Sequence, residues 1–332
     1  MAGAHHGFAA HFDTARYITF EAVVSGFEFV NPHSYLYFET TNETGETANR
    51  WCELNAQTQL RRKGISQDSF SPGDRVVIAG FQARRDPLGC YLASVRLADG
   101  SVLTLKNRSG NSLYSSPVAS ADTGIVGTWY PRGRGTVQRA GDFVTPEGQA
   151  ALDAYDPRSQ NPVLRCEPGS PLRAWMQPGT PVRISRDDGT LRIHHEFMDV
   201  VRVVHLDTAN HPEGIARTDI GHSVGRFEGG ELVMETALFS AGVLMETAQF
   251  SEGEETGVSP YTGMNTTDLK LYERLRVAPD SGDLVLTWTA EDPRYYTQPL
   301  SGTRTFSRAD VELGSFNCLP TTGHAPADLP PD

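Results

Sequence analysis

The ten histidines of this chain are unevenly placed, and imidazole is the side chain best suited to moving protons or holding a metal near neutral pH. His5, His6 and His11 stand near the N-terminus, His33 follows, and His194, His195, His205, His211 and His222 lie in a later stretch. With His5 as the first residue of a processed chain, its amine and ring nitrogen, joined by imidazole from His6, His11 or His33, make a tetragonal site favoured by copper. With Ala4 first, His6 in third position makes a different copper-chelating terminus. Both require that Met1 be removed, and the plainer reading is that the paired histidines cap the first strand.

A second kind of chemistry comes from strand parity. In Leu191 to Met198, alternate residues Leu191, Ile193, His195 and Phe197 form one face, and Arg192, His194, Glu196 and Met198 the other. The apolar face is expected to point inward, so that desolvation keeps His195 in the neutral form a general base needs. Glu235 and Glu273 on hydrophobic strands, and Asp292 beside Tyr295 and Tyr296 near a strand end, are candidate carboxylates and phenols. His222, in Gly-His-Ser, stands at a strand mouth. The candidate catalytic set is His195, His222, Glu235, Glu273, Asp292 and Tyr296. Such groups around an apolar cavity suit hydration, dehydration, isomerisation or cyclisation, where acid and base suffice without a redox cofactor. The plainer readings are a hydrogen-bonded core histidine and, for Glu273-Arg274 with Arg276, a solvated charge ladder.

The elements that must position these groups are mostly strands. Five are predicted at Tyr17 to Phe29, Ser34 to Thr40, Ala48 to Leu54, Asp74 to Phe81 and Cys90 to Leu97. A short helix, Asn55 to Lys63, is expected between the third and fourth, with Asn55 as its cap and Gly64 at its end. That is the arrangement of an OB-like five-stranded barrel, although fold analogy carries no function with it. Residues 106–124 are rich in Ser, Asn and Gly and read as a linker.

Beyond the linker, Thr145-Pro146-Glu147 opens a helix, with Thr145 as cap and Pro146 at the first helical position, ending near Asp156-Pro157. Eight further strands are predicted at Pro181 to Ser185, Leu191 to Met198, Val200 to Asp207, His222 to Phe227, Leu232 to Leu238, Leu269 to Val277, Leu284 to Ala290 and Leu300 to Phe306. At this spacing they suggest a closed up-and-down barrel or a strongly curved sheet with a ligand-sized interior. The opening Gly127-Thr128-Trp129 resembles the lipocalin signature, which implies a lipocalin-like antiparallel β-barrel; the plainer reading is a Trp in an ordinary β-core. In that signature the Trp lies beneath a basic residue of the last strand, here Arg304 or Arg308. Leu232 to Ser240 recurs as Val243 to Ser251, a local duplication expected to lengthen one hairpin or loop.

His5-His6-Gly7-Phe8 with Phe12-Asp13, Asn31-Pro32-His33 and Pro72-Gly73-Asp74 resembles an uncharacterised bacterial exported-protein family whose mature chains begin His-His-Ser-Phe. The resemblance covers about the first 105 residues. Gly7 departs from the usual Ser. Downstream, Thr145-Pro146-Glu147-Gly148, Arg165-Cys166-Glu167-Pro168, Gly221 to Gly229 and Asp292-Pro293 resemble a second region found in similar bacterial proteins. The resemblance implies a cleaved export signal and is silent on catalytic residues. The protein is expected to be periplasmic or secreted if a signal has been removed, and cytoplasmic if Met1 is the native start. Cys52 and Cys90 fall in the first barrel and Cys166 and Cys318 in the second, which fits one disulfide per domain or, equally, four buried thiols.

A hydrophobic fraction of 38% excludes a disordered chain. A net charge of −12 disfavours nucleic acid as a partner, and no apolar run reaches the roughly 18 to 20 residues of a membrane-spanning helix. There is no phosphate loop, dinucleotide fingerprint, Gly-x-Ser-x-Gly elbow, His-Glu-x-x-His or Cys-x-x-Cys. The expected molecule is all-β, with an OB-like barrel over 1–105, a linker over 106–124, a lipocalin-like barrel over 125–320 and a tail over 321–332. Its expected function is cofactor-independent acid–base catalysis on a hydrophobic or amphipathic small molecule, of hydratase, isomerase or cyclase type. The alternatives are a non-catalytic small-molecule carrier, or a periplasmic copper binder using His5, His6 and His33.

Overall fold

The computed structural model describes residues 12–104, 124–156, 160–245 and 261–320. They divide into two compact units: residues 12–104 with 316–320, and the described residues from 124 to 315. The all-β expectation holds, and each unit contains a closed barrel.

The first unit runs β1 (Phe12–Glu28), β2 (Tyr35–Thr41), β3 (Thr47–Glu53), β4 (Arg75–Ala83), β5 (Gly89–Arg96) and β6 (Val102–Thr104). The sheet order is β3-β2-β1-β4-β5-β6, and a parallel pairing of β3 with β5 closes the first five strands into a barrel. Alternating apolar residues such as Val24, Leu36, Phe38, Ile78 and Leu92 fill it. Cys52 and Cys90 are register partners at the closing pair and form a disulfide, so the covalent link lies where the barrel shuts. The expected helix is shorter, Gln57–Arg61, and its cap is Ala56. Asn55 does not cap it: its side-chain oxygen accepts from Tyr91 OH at 3.3 Å, and its amide donates to Gln59 Oε1 at 2.8 Å.

The Asn-Pro-His segment has a structural task. Asn31 is buried, its amide donates to the Phe316 carbonyl, and its side-chain oxygen accepts from Thr58 N at 3.3 Å. Leu319 N donates to the Asn31 carbonyl at 2.9 Å, and Asn31 pairs with Cys318. Cys318 thus belongs with the first unit rather than the second, and none of the four cysteines is free.

The second unit contains β7 (Gly127–Val137), β8 (Val182–Asp187), β9 (Thr190–His195), β10 (Val201–His205), β11 (His222–Glu228) and β12 (Glu231–Ala237). It continues with β13 (Gly242–Met245), β14 (Gly263–Asn265), β15 (Lys270–Val277), β16 (Leu284–Glu291) and β17 (Leu300–Arg308). Nine strands close in the order β10-β11-β12-β15-β16-β17-β7-β8-β9. The eight strands read from sequence are all present. The ninth is β7, whose Gly-Thr-Trp start was read only as an opening motif. The barrel is not wholly antiparallel, since β10 and β11 run parallel. The chain between them returns to the same end of the barrel and carries His211.

Local chemistry explains the connections. Gly229 and Gly230, with φ of +57° and +90°, make the tight turn from β11 to β12. Thr145 caps the helix Pro146–Ala154 as expected, accepting from Gly148 N at 3.0 Å. The two copies of the duplicated stretch take different places. The first forms β12 in the barrel, while the described start of the second forms β13, which pairs only with β14; residues 246–251 lie outside the described residues. A helix not anticipated from sequence, Pro171–Met176, has every residue buried. Its Trp175 touches the inward side chains of His195 on β9, Glu273 on β15 and Phe306 on β17, so it fills the barrel interior.

Candidate functional site

The inward faces of β9, β10, β11, β12, β15, β16 and β17 carry polar groups that an apolar barrel would leave out. Arg202 and Glu273 form an ion pair, Nη1 donating to Oε1 at 2.9 Å and Nη2 to Oε2. Arg202 Nε donates to Ser223 Oγ at 2.7 Å, and Nη2 also to Thr236 Oγ1 at 2.7 Å. Trp175 Nε1 completes the set by donating to Glu273 Oε1 at 2.8 Å. All five side chains are buried. A buried ion pair satisfied on this scale is a structural unit, because removing either partner would strand the other charge in a medium that cannot solvate it. The reading of Glu273 as part of an exposed ladder therefore does not hold: Arg274 and Arg276 do meet Glu231 outside, but Glu273 points inward.

His195 lies on the interior face, as parity predicted, edge-on to the Trp175 ring with centroids 4.5 Å apart. Burial, with the charges of Arg202 and His194 added, pushes its imidazole down to about 3. It is neutral at pH 7, but a base so weak takes a proton from substrate poorly, since general bases work best with a pKa near the operating pH. Its Nε2 has no hydrogen-bond partner among the described residues. Glu196 departs from the parity reading. The strand ends at His195, Glu196 takes a helical φ/ψ and is buried, and its Oε2 accepts from Gly314 N at 2.8 Å.

A second group of interior side chains was not singled out for chemistry from sequence. Arg304 is 1% exposed and faces no carboxylate; its Nε and Nη2 have no partner among the described residues, and burial pushes its pKa down to about 10. Trp288, facing the same interior from β16, also has a buried Nε1 without a partner among the described residues. The two are close in the sheet, because Trp288 is the register partner of Gly302, two residues before Arg304. A Cβ on Gly302 would fall 2.6–2.7 Å from Trp288 Cζ2 and Cε2, the side of the indole that bears its N–H. Arg304 itself stands where β17 and β7 slip register, between Thr303–Thr136 and Thr305–Arg132. Gly135, at φ +75°, makes room there: a Cβ would lie 3.0 Å from Arg304 Cδ and 3.3 Å from Met176 Cε. The signal in the sequence was one Arg at an inward position of an otherwise apolar parity, Leu300-x-x-x-Arg304-x-Phe306.

Of the two arginines weighed as the partner of Trp129, the structure selects Arg308. Its guanidinium carbon lies 4.4 Å from the centre of the Trp129 ring, and it donates to Val126 O at 2.9 Å and Gly124 O at 2.7 Å. Arg304 is thereby released from that structural role.

The remaining candidates do not join the interior group. Asp292 accepts from Thr266 N at 2.6 Å and Thr266 Oγ1 at 3.0 Å, and Tyr296 OH donates to Met264 O at 2.7 Å. Burial first, then Asp292, push the Tyr296 phenol up, so it stays protonated. Both tie down the β14 region. His222 and Glu235 lie together on the outside of the barrel, with His205 and His211. His222 has its pKa lowered by burial, then by His205 and His211. In the first unit, His33 Nδ1 lies 2.8 Å from Glu53 Oε1; burial opposes its charge, but Glu53 outweighs burial and raises the pKa. His5, His6 and His11 lie outside the described residues. Among the described residues no three His, Cys, Asp or Glu side chains are arranged around one metal position.

Two depressions mark the second unit's surface. A groove of about 580 Å³ runs over β7, β12 and β15 to β17, edged by Thr136, Thr287, Thr289, Thr303 and Tyr272. A smaller one of about 330 Å³ lies between the helix Pro146–Ala154 and β13–β14, beside Arg165 and Asp219. No helix among the described residues is long and apolar enough to cross a membrane.

A model of a family of unknown function (DUF6152) matches residues 1–90, the part that contains β1 to β4. This agrees with the resemblance of the first barrel to an uncharacterised family and leaves the second unit unmatched. No curated protein matches the chain.

Proposed function

We propose that the second barrel is a non-catalytic binding domain for a small amphipathic anion, with Arg304 and Trp288 receiving its charged group. The observation that carries this reading is that the buried donors Arg304 Nε and Nη2 and Trp288 Nε1, near neighbours by register, meet no acceptor among the described residues. A desolvated guanidinium without a counter-charge costs several kcal/mol, and an anion that brings two or three oxygens would offset that cost. Leu284 and Leu286 on β16, with Phe306 on β17, are the buried apolar neighbours on the same inward face. Met176, beside the Arg304 stem, is an unbranched side chain that can repack around a guest.

Binding is favoured over acid–base catalysis by the same geometry. His195 is too weak a base, Glu273 is held by Arg202 and Trp175, and His222, Glu235, Asp292 and Tyr296 stand elsewhere. The Trp129–Arg308 stack supports a lipocalin-like assignment for this barrel, and the cyclic order β1-β2-β3-β5-β4 supports an OB-like one for the first. The Cys52–Cys90 disulfide supports an exported, periplasmic setting.

The test compares thermal stabilisation of the full chain by decanoate and by decanol. The carboxylate is expected to raise Tm and the alcohol to leave it unchanged; equal shifts, or none, would count against an anion site.

A further inference from the structure

The outer face of the second barrel gathers three histidines that the binding reading does not use. His205 ends β10, His222 begins the parallel neighbour β11, and His211 comes from the chain between them. His211 Nδ1 and His222 Nδ1 face one another at 2.9 Å. On the far side of the His211 ring, Nε2 lies 3.6 Å from Glu235 Oε1. On the far side of His222, the His205 ring stacks with centroids 4.8 Å apart and planes within 9°.

We propose that His211 and His222 form one edge of a surface metal site, with Glu235 behind His211, for a divalent ion of tetragonal preference such as Cu(II). The separation of the two nitrogens carries the choice of ion. At metal–nitrogen bonds of about 2.0–2.1 Å, two ligands at a right angle stand about 2.9 Å apart, while a tetrahedral pair stands about 3.3–3.4 Å apart. Right-angled nitrogen ligands are the pattern of Cu(II) and Ni(II) rather than Zn(II).

The surrounding groups prepare the pair for this. Glu235, whose Oε1 lies 3.6 Å from His211 Nε2 and makes no hydrogen bond to it in this arrangement, favours by its charge the tautomer that carries the proton there, which leaves the Nδ1 lone pair available as a ligand. His205 braces the His222 ring. Two parallel, offset imidazole planes cannot both contain one ion, so His205 is not a ligand in this arrangement, and water completes the coordination. Lys270, 3.9 Å from Glu235, is the competing partner of that carboxylate.

The experiment uses the full chain with His5→Ala, His6→Ala and His11→Ala, so that the terminus contributes no imidazole, and CuCl2 as the probe. One equivalent of Cu(II) is expected, with an electron paramagnetic resonance spectrum showing coupling to two nitrogens. His211→Ala and His222→Ala should each weaken it at least tenfold. Glu235→Gln, which keeps the shape and removes the charge, should weaken binding by about ten- to a hundredfold. Circular dichroism of each variant separates loss of a ligand from loss of the fold. Retention of full affinity in folded His211→Ala and His222→Ala, or no stoichiometric copper in the parent chain, would mean that the two rings only share a proton and would overturn the proposal.

Discussion

Trp175 donates its indole proton to Glu273 at 2.8 Å while Arg202 holds the same carboxylate through two nitrogens, so a helix inside the second barrel is fastened to the ion pair that joins β10 and β15. Glu273→Gln leaves Arg202 buried without a counter-charge, and it is expected to destabilise the protein by about 3–5 kcal/mol. Urea unfolding followed by tryptophan fluorescence measures this directly. Trp175→Phe keeps most of the volume and loses only the hydrogen bond, so its cost should be smaller, on the order of 1–3 kcal/mol.

His195 gives the fold an acid-sensitive term. Its folded pKa is about 3, below the ordinary histidine value of 6.5, so between those pH values the unfolded chain binds a proton that the folded chain refuses. Stability therefore falls as pH drops through that window, by about 2 kcal/mol between pH 7 and pH 5 from this one group. His195→Phe retains a ring beside Trp175 and has no proton to bind. The stability difference between parent and variant should shift by that amount between the two pH values, and a pH-independent difference would show that His195 titrates normally.

Arg304 makes the opposite prediction to Arg202. No carboxylate among the described residues pairs with it and its Nε and Nη2 have no partner there, so Arg304→Met should leave the empty protein as stable as the parent or raise its stability by about 1–4 kcal/mol. A gain in stability from removing a buried charged residue is the signature of a group kept for a ligand rather than for the fold. Differential scanning calorimetry of the two proteins without added ligand reads the effect, and a marked loss of stability would indicate that Arg304 is structural.

The disulfide at the barrel closure links positions 38 residues apart. Cys52→Ala with Cys90→Ala should cost the first barrel about 2–5 kcal/mol. The loss should appear in the first unfolding transition alone if the two barrels melt separately, which calorimetry with a thiol-free buffer can resolve.

The strands were readable because period-2 burial leaves a plain trace: Leu191, Ile193 and His195 alternate with polar residues, and all three point inward as that alternation requires. Turn glycines such as Gly229 and Gly230 fixed the hairpins for the same reason. The helix Pro171–Met176 was not readable, because six residues are too few to show a helical period, and its burial comes from the barrel around it. The interior polar groups were only half legible. Glu273 was marked as a carboxylate on an apolar strand, but its partner Arg202 is 71 positions away in sequence, and no local pattern announces a contact over that distance. The histidines His205, His211 and His222 were noted one by one. Their meeting depends on a parallel pair of strands, β10 and β11, where antiparallel pairing was expected.

The central claim is that Arg304 receives an anion inside the second barrel, and isothermal titration of decanoate into the parent and Arg304→Met proteins at neutral pH tests it most directly. The parent should bind one equivalent, and the variant, folded and at least as stable, should bind at least tenfold more weakly. Equal affinity in the two proteins, or no saturable binding to the parent, would contradict the account.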